Sequence, residues 1–453
     1  MKLDGKTILI YGMGISGKGV AQLLKKHENS LILYDGNEAL DKEALLNELG
    51  LADKAKVITG KLKKEDLEAV DILALSPGVS AFAPDIEMAR EAGVEVLGEI
   101  EIAYEISKGR MAAITGTNGK TTTTALTGEI MKAAFPEVFV VGNIGKSFAS
   151  VADETSDQSV IVAEISSFQL ESIDEFHPEV SAVLNLTPDH LDRHGTFENY
   201  AAVKMLIAKN QSPDEICVIN YDDEYLRKLA EDITPKKLYF SRKVELEYGI
   251  FLKGDMICYK DKNGLTEIIR KDDMNLMGDH NVENVMAACG IGIAMGVEIP
   301  VIADVVRHFQ AVEHRIEFVC RRKGVAYYND SKGTNTDAAA KAVDAMVAPT
   351  ILIAGGYDKG ADFTEWIEGF NGKVRDMILI GQTAEKIKET ALKCGFTNLH
   401  MCEDLKEAVS KAAEMANEGD AVLLSPACAS WGQFKNYEQR GEMFKDFARA
   451  LED

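Results

Sequence analysis

The run Thr115-Gly116-Thr117-Asn118-Gly119-Lys120-Thr121 has the composition of a loop that grips phosphate, in a spacing too short for the standard one. The pattern G-x-x-x-x-G-K-[ST] needs a glycine at 114, where the chain has Ile114; its glycine comes at Gly116. Gly116 and Gly119 let backbone N–H groups turn inward around phosphate oxygens. Lys120 suits the outer phosphates of a nucleoside triphosphate and the Thr121 hydroxyl suits Mg²⁺. Thr117, Asn118 and Thr122 line the same loop. Farther on, "SVIVAE" is an apolar strand ending in Glu164, where nucleotidases keep a Mg²⁺-holding carboxylate. A second strand end, in "SAVLNLTPDHLDRHG", supplies Asn185, Asp189 and His190. A GTP reader would show N-K-x-D there, and Asn185-Leu-Thr-Pro does not match it. His190 beside such an edge is a candidate metal ligand.

A second glycine turn lies near the start. "ILIYGMGISG" sets Gly12-x-Gly14-x-x-Gly17 after a strand and at the head of a helix, and "SLILYD" ends in Asp35, where a Rossmann unit places its ribose-binding acid. The arrangement suits a nucleotide whose phosphates rest on helix N-terminal amides. The alternative is that these glycines only let strand and helix pack closely. NAD is the default nucleotide, which makes an NAD-dependent oxidoreductase the rival reading from another class.

Strands and helices must hold these residues in place, and the chain repeats one grammar: a short apolar run, a glycine-rich turn, then an amphipathic stretch. "KTILIYGMGISGKGVAQLLKK", "MAAITGTNGKTTTTALTGEIMKAA" and "PTILIAGGYDKG" are examples. Continuous apolar strands alternating with helices imply parallel sheets covered on both faces. The expected fold is α/β in three domains. Residues 1–100 form a Rossmann-like parallel sheet, 101–311 a central P-loop-type ATPase domain, and 312–453 a second Rossmann-like domain. The stretch 236–275 alternates and carries turn signals without helix, so it should be a small antiparallel patch in the central domain.

The net charge of −23 over 453 residues excludes a nucleic-acid partner, since phosphate backbones need basic surfaces. Any anion site is then a local exception to the overall field. Seven cysteines without C-x-x-C spacing read as reduced thiols. The opening segment has Asp4 and glycines where a signal peptide needs an apolar stretch, and no run reaches the ~18 apolar residues of a membrane span. The expectation is a cytoplasmic protein with no membrane insertion.

"TGTNGKT", "EISSFQLE" and "NLTPDHLDRHG", followed by "GDHNVENVMAA", "HRIE", "NDSKGTNTDA" and "GGYDKGADF", together resemble the Mur ligases. These are the ATP-dependent amide-forming enzymes of bacterial peptidoglycan synthesis, with folylpolyglutamate synthase as a cousin. "LLSPACASWGQFKNYEQRGEMF", "GMGISG" and "LSPGVS" look most like the D-glutamate-adding member. The resemblance implies addition of D-glutamate to UDP-N-acetylmuramoyl-L-alanine through an acyl phosphate, with a monomer as the expected state. Its alternative within the family is the same chemistry on another amino acid or acceptor. It also replaces NAD at the first glycine turn with the UDP part of the substrate.

The family's roles carry over by motif. Lys120, Glu164, His190 and Lys204 become the catalytic set; Thr121 and Glu164 hold one Mg²⁺, and His190 with a carbamylated Lys204 a second. Read from spacing alone, Lys204 would be a helix-surface lysine. ATP would meet Gly116 to Thr122, Asn281, Asn284, His314, Arg315 and Asp330, with Asp358 a second carboxylate. The UDP substrate would meet Ile15, Ser16, Asp35, Asn37, Gly78, Asn143 and His190, Asp35 facing either uracil or ribose. D-Glutamate would meet Lys332, Thr334, Lys359, Ser430, Trp431 and Tyr437. Gly333 and Trp431 depart from the family's usual alanine and aliphatic residue, which bears on pocket shape.

Overall fold

The computed structural model describes residues 3–452 apart from 53, 144, 145, 277, 311 and 359. Among the described residues the strands form three sheets, of five, nine and six strands. Several strands are buried along their whole length, such as Ile72–Leu75, Val160–Glu164, Val180–Val183, Thr350–Ala354 and Ala421–Leu424. Burial on both faces is why these segments read as unbroken apolar runs.

The first sheet is all parallel, in the order Ala55–Thr59, Ser30–Asp35, Thr7–Tyr11, Ile72–Leu75, Glu95–Gly98. The chain winds one way from Thr7–Tyr11 and then returns to its other side, so the loops after Tyr11 and Leu75 flank a topological switch point. Ligand crevices form at such points. Gly17 shows how tightly this rim is built. A Cβ there would stand 1.9 Å from the Gly12 carbonyl oxygen and 3.2 Å from Ser76 Oγ. Ser76 Oγ itself donates to the Gly12 carbonyl at 3.0 Å, joining the two loops.

The second sheet runs Gly264–Arg270, Met256–Asp261, Gly249–Lys253, Lys236–Ser241, Ile216–Asn220, Val180–Val183, Arg110–Thr115, Val160–Glu164, Val138–Gly142. Its outer three strands pair antiparallel, while Lys236–Ser241 is parallel to Ile216–Asn220 and Gly249–Lys253 is parallel to Lys236–Ser241. The antiparallel patch expected over 236–275 is therefore the last three strands of that stretch. It extends the central sheet edge to edge and shares its hydrogen-bond ladder. The third sheet runs Glu317–Arg322, Val325–Asn329, Ala421–Leu424, Thr350–Ala354, Val374–Leu379, Leu399–Met401, parallel except for its first pair.

Contacts divide the chain into two bodies: Met1–Asp273 with Glu283–Arg307, and Met274–Val282 with His308–Asp453. The first body holds the first two sheets, joined through the helix Glu99–Ile106. Glu101, fully buried, accepts the backbone N–H groups of Asp174, Glu175 and Phe176. Glu99 accepts that of Ala149 at 3.0 Å. Each carboxylate satisfies amides that would otherwise be buried unpaired. One apolar cluster runs from Leu24 and Ile100 through Phe148 to Ile207. Among the described residues no helix is long and apolar enough to cross a membrane.

Gly17→Ala should lower stability by about 1–3 kcal/mol, because the new methyl cannot coexist with the Gly12 carbonyl. A thermal melt showing no loss would mean the two loops are not packed this closely.

Candidate functional site

The strand Arg110–Thr115 delivers the phosphate-type loop, and the helix Lys120–Ala134 continues it. Gly119 caps that helix with φ 83°, no side chain caps it, and its first turn holds no acidic residue. The helix Ile15–Leu24 begins in the same way after Gly14. Elsewhere Asp41, Asp223 and Asp404 cap their helices with side-chain oxygens. Uncapped amides at a helix N-terminus keep their partial positive charge for an outside anion. Gly119 has a second reason to lack a side chain: a Cβ would lie 2.1 Å from Asn284 Oδ1, which accepts from Thr123 Oγ1 at 3.4 Å.

The far side of the loop leans on the edge that follows Val180–Val183. Thr117 N donates to the Asn185 carbonyl at 3.0 Å, and Asn118 and Asn185 exchange two hydrogen bonds at 2.9 and 3.0 Å. Tyr200 OH donates to Thr117 Oγ1 at 3.1 Å. Lys120 Nζ folds back to the carbonyls of Gly116 and Thr117, at 2.8 and 2.7 Å. Thr121 and Thr122 are buried.

Glu164 stands at the end of the neighbouring strand, in register with Ile114 just before the loop. Its Oε1 accepts from Asn143 Nδ2 at 2.9 Å; its Oε2 is buried without a hydrogen-bond partner among the described residues. A buried carboxylate oxygen left over in this way fits a hard cation, which takes oxygen ligands. Lys204 comes from the helix Phe197–Met205 and is 1% exposed, so the helix-surface reading is wrong. Its Nζ donates to the Gly116 carbonyl at 2.9 Å and lies 4.8 Å from the Tyr200 ring. Burial pushes its amine well below the ordinary lysine value, and nearby Lys120 adds to the shift while Asp189 and Glu164 oppose it. His190 is half-exposed at φ 51°, with its ring edge-on to Phe168 at 4.8 Å and Nε2 3.6 Å from Asp189. Together these residues form one polar edge, an anion cradle with a cation-ready carboxylate beside it.

On the first sheet, Ile15, Ser16, Asp35, Asn37 and Gly78 all follow the carboxyl ends of three adjacent strands. Ile15 is an apolar side chain 88% exposed. Asp35 accepts from the amides of Met13 and Asn37, both at 2.9 Å, so it also braces the glycine turn. Asn143 sits instead beside Glu164 on the second sheet.

On the third sheet, the loops after Val325–Asn329, Ala421–Leu424 and Thr350–Ala354 leave adjacent strands on one edge. They carry Asp330, Lys332 and Thr334; Ser430 and Trp431; and Asp358. Lys359 lies outside the described residues. Lys332 Nζ is 5.2 Å from the Tyr437 ring, and Trp431 meets Tyr357 edge-on at 5.5 Å. Buried Arg440 ties the loops, donating to Ser331 Oγ, the Ser331 carbonyl and the Cys428 carbonyl. A Cβ at Gly333 would be 2.4 Å from Asp330 Oδ2, so alanine there would require that carboxylate to move.

His314 is packed inside this body, with Nδ1 2.9 Å from Asn329 Nδ2 and Nε2 3.6 Å from Glu442. Glu313, His314 and Glu442 bring possible ligand atoms within 4.8 Å, but the Lys445 ammonium already pairs with both glutamates. Asp358 pairs with Lys386 at 3.0 Å and accepts from Gly360 N, which holds its carboxyl below the ordinary range. Asp330 is buried and accepts from Ser425 Oγ at 2.7 Å; burial pushes its carboxyl up to about 7, against the pull of that bond and of Arg315. Asn281 and Asn284 lie one turn apart on the helix Asp279–Ala294.

Sequence reasoning missed Tyr200, Glu171, Arg193, His194 and Arg440. Tyr200 stands four residues before Lys204 on one helix face, a spacing that signals contact. The others meet partners across intervals that carry no pattern.

Three family descriptions match the chain: "Mur ligase MurD-like, N-terminal domain" over residues 6–98, "Mur ligase middle domain" over 114–292, and "Mur ligase, glutamate ligase domain" over 314–428. A UDP-N-acetylmuramoylalanine–D-glutamate ligase from Lachnospira eligens is 49% identical over the whole of both chains. One of the same description from Caldanaerobacter subterraneus is 47% identical over 98% of each. Among solved structures, a UDP-N-acetylmuramate-alanine ligase from Thermotoga maritima shares the fold with TM-score 0.61 at 18% identity, covering 98% of this chain and 99% of its own. A MurF ligase from the same organism, in complex with ADP, has TM-score 0.61 at 15% identity over 99% and 96%.

Asp330 gives a pH test. Its folded pKa of about 7 lies above the ordinary 3.8, so the folded state holds the extra proton and loses stability as pH rises between those values. Asp330→Asn removes that dependence. The variant's advantage in a thermal melt should grow from pH 5 to pH 8, to on the order of 2–4 kcal/mol. A constant difference across that range would mean Asp330 is ionised throughout.

Proposed function

The chain belongs to the Mur ligase family, and on that premise we propose that it joins D-glutamate to UDP-N-acetylmuramoyl-L-alanine while ATP is cleaved to ADP and phosphate. It is an ATP-dependent amide ligase of peptidoglycan precursor synthesis. One observation carries the reading at the level of geometry. A glycine-capped helix start without a side-chain cap follows the strand beside Glu164, whose buried Oε2 has no hydrogen bond among the described residues. An NAD-dependent dehydrogenase has no need of this second glycine loop or of the carboxylate beside it, and relatives matching over the full length leave that rival without support.

A carboxylate is a poor electrophile, so the acceptor must first take the γ-phosphoryl group as an acyl phosphate. The D-glutamate amine then attacks its carbonyl carbon, and phosphate leaves from the tetrahedral intermediate. Phosphoryl transfer asks the protein mainly for positioning and charge neutralisation. Lys120 and the amides of 116–122 grip the phosphates, and His314, Arg315, Asp330, Asn281 and Asn284, with Asp358 as a second carboxylate, complete the ATP set. Thr121 and Glu164 hold one Mg²⁺, and His190 with Lys204 a second. When bound, the metal neutralises charge on the transferring group.

Lys204 suits that place only with its charge reversed. Its buried amine, once deprotonated, can add to carbon dioxide, releasing one proton and leaving a carbamate anion; an ammonium would repel the metal. Ile15, Ser16, Asp35, Asn37, Gly78 and Asn143 take the UDP substrate. Lys332 and Lys359 neutralise the carboxylates of D-glutamate, with Thr334, Ser430, Trp431 and Tyr437 around them. The enzyme works as a monomer in the cytoplasm, a placement that the free thiols of all seven cysteines support.

Phosphate release should require both UDP-N-acetylmuramoyl-L-alanine and D-glutamate, with L-glutamate inactive. Release supported by lysine or diaminopimelate instead would transfer the chain to another member of the family. Lys204→Ala should lose at least about 100-fold in kcat. Short carboxylic acids should restore part of it, and an unaffected variant would remove the carbamate from the mechanism.

A further inference from the structure

Arg193 joins two parts of the molecule that the reaction must keep in register. It sits in the short helix Leu191–His194, directly after His190, and its side chain is 12% exposed. One guanidinium nitrogen donates to the Pro77 carbonyl and another to the Val79 carbonyl, both at 2.9 Å. The fork also binds Glu171, whose carboxylate is 1% exposed, with Nη2 at 2.6 Å and Nε at 3.1 Å. Its plane lies 4.0 Å over the Phe168 ring, and Phe168 in turn contacts His190. Glu171 is shared with His194 Nδ1 at 3.5 Å, and His194 meets the ring of Tyr200, which bonds Thr117 of the phosphate loop.

We propose that Arg193 is a positioning residue for the acceptor substrate. It clamps the backbone on both sides of Gly78 to the edge that carries His190, so that the UDP-binding rim and the phosphate-transfer edge keep a fixed separation. This rests on the reading of the Gly78 loop as part of the acceptor site. The physical case is the donor count. Two carbonyls and a carboxylate are satisfied at once by a planar fork, whereas a lysine ammonium is a point charge that cannot span them in that geometry. Ser76, next to the clamped pair, holds the Gly12 carbonyl, so the grip reaches the first glycine turn as well.

The test compares the full-length enzyme with Arg193→Lys and Glu171→Gln. Amide hydrogen exchange over residues 76–82 should speed up in both variants. KM for UDP-N-acetylmuramoyl-L-alanine should rise about tenfold in Arg193→Lys, the size of one lost charge-assisted hydrogen bond, and less in Glu171→Gln. KM for ATP and D-glutamate should change less than about twofold. Unchanged exchange over 76–82 in both variants would overturn the clamp, whatever the substrates are. Faster exchange with an unchanged acceptor KM, or with all three KM values raised alike, would overturn its positioning role. A wild-type enzyme that makes no product from these substrates would instead sink the proposed function, and the exchange result would still decide the clamp.

Discussion

Anion binding in a chain of net charge −23 depends on a few places where the backbone itself is positive. The helices Ile15–Leu24 and Lys120–Ala134 both start after a glycine, without a side-chain cap and without a carboxylate in the first turn. An Asp at either cap would stabilise the helix by about 1 kcal/mol, and it would occupy the amides that a phosphate needs. The fold gives up that stabilisation at both of these helix starts, and elsewhere it keeps aspartate caps at Asp41, Asp223 and Asp404. Both starts sit at the carboxyl ends of central parallel strands, and the sheet order decides which loops stand beside them.

Around the second of these starts, buried polar groups impose the remaining order. Glu164 and Lys204 are each about 1% exposed, and both face the loop from neighbouring elements. Burying charge is costly unless it is paired, so each group must find a partner, lose its charge or take a ligand. Asn143 donates to one oxygen of Glu164, and the Gly116 carbonyl accepts a hydrogen bond from Lys204 Nζ. What they leave over among the described residues is one buried carboxylate oxygen without a hydrogen bond, beside an amine whose affinity for its proton is lowered by burial. Such a leftover oxygen is of the kind a hard cation takes as ligand.

Much of this was legible in the sequence, because it is local. The glycine turns, the apolar strands ending in Asp35 and Glu164 and the α/β alternation all act over a few residues, and the structure contains them. The burial of Lys204 is not legible in the sequence: the nine-residue helix Phe197–Met205 around it is only weakly amphipathic, and tertiary packing alone puts that lysine beneath the loop. The partners of the His314 ring are equally remote in sequence: Asn329 and Glu442 stand 15 and 128 positions away. The Arg193 fork likewise collects partners from residues 77, 79 and 171. Side chains that satisfy backbone carbonyls leave no trace in composition, because every residue offers the same carbonyl. The strand Lys236–Ser241 was grouped with an antiparallel patch since alternation reports which faces are buried and says nothing about the direction of a neighbour.

The chain has two tryptophans, and the fold separates them sharply: Trp366 is 3% exposed within an aromatic cluster, while Trp431 is 56% exposed beside Tyr357. Their fluorescence therefore divides into a shielded blue emitter and a solvent-facing red one. Aqueous iodide reaches only the second. That second indole adjoins the loops assigned to the incoming amino acid, so the enzyme carries a built-in optical reporter for that pocket, readable without a label.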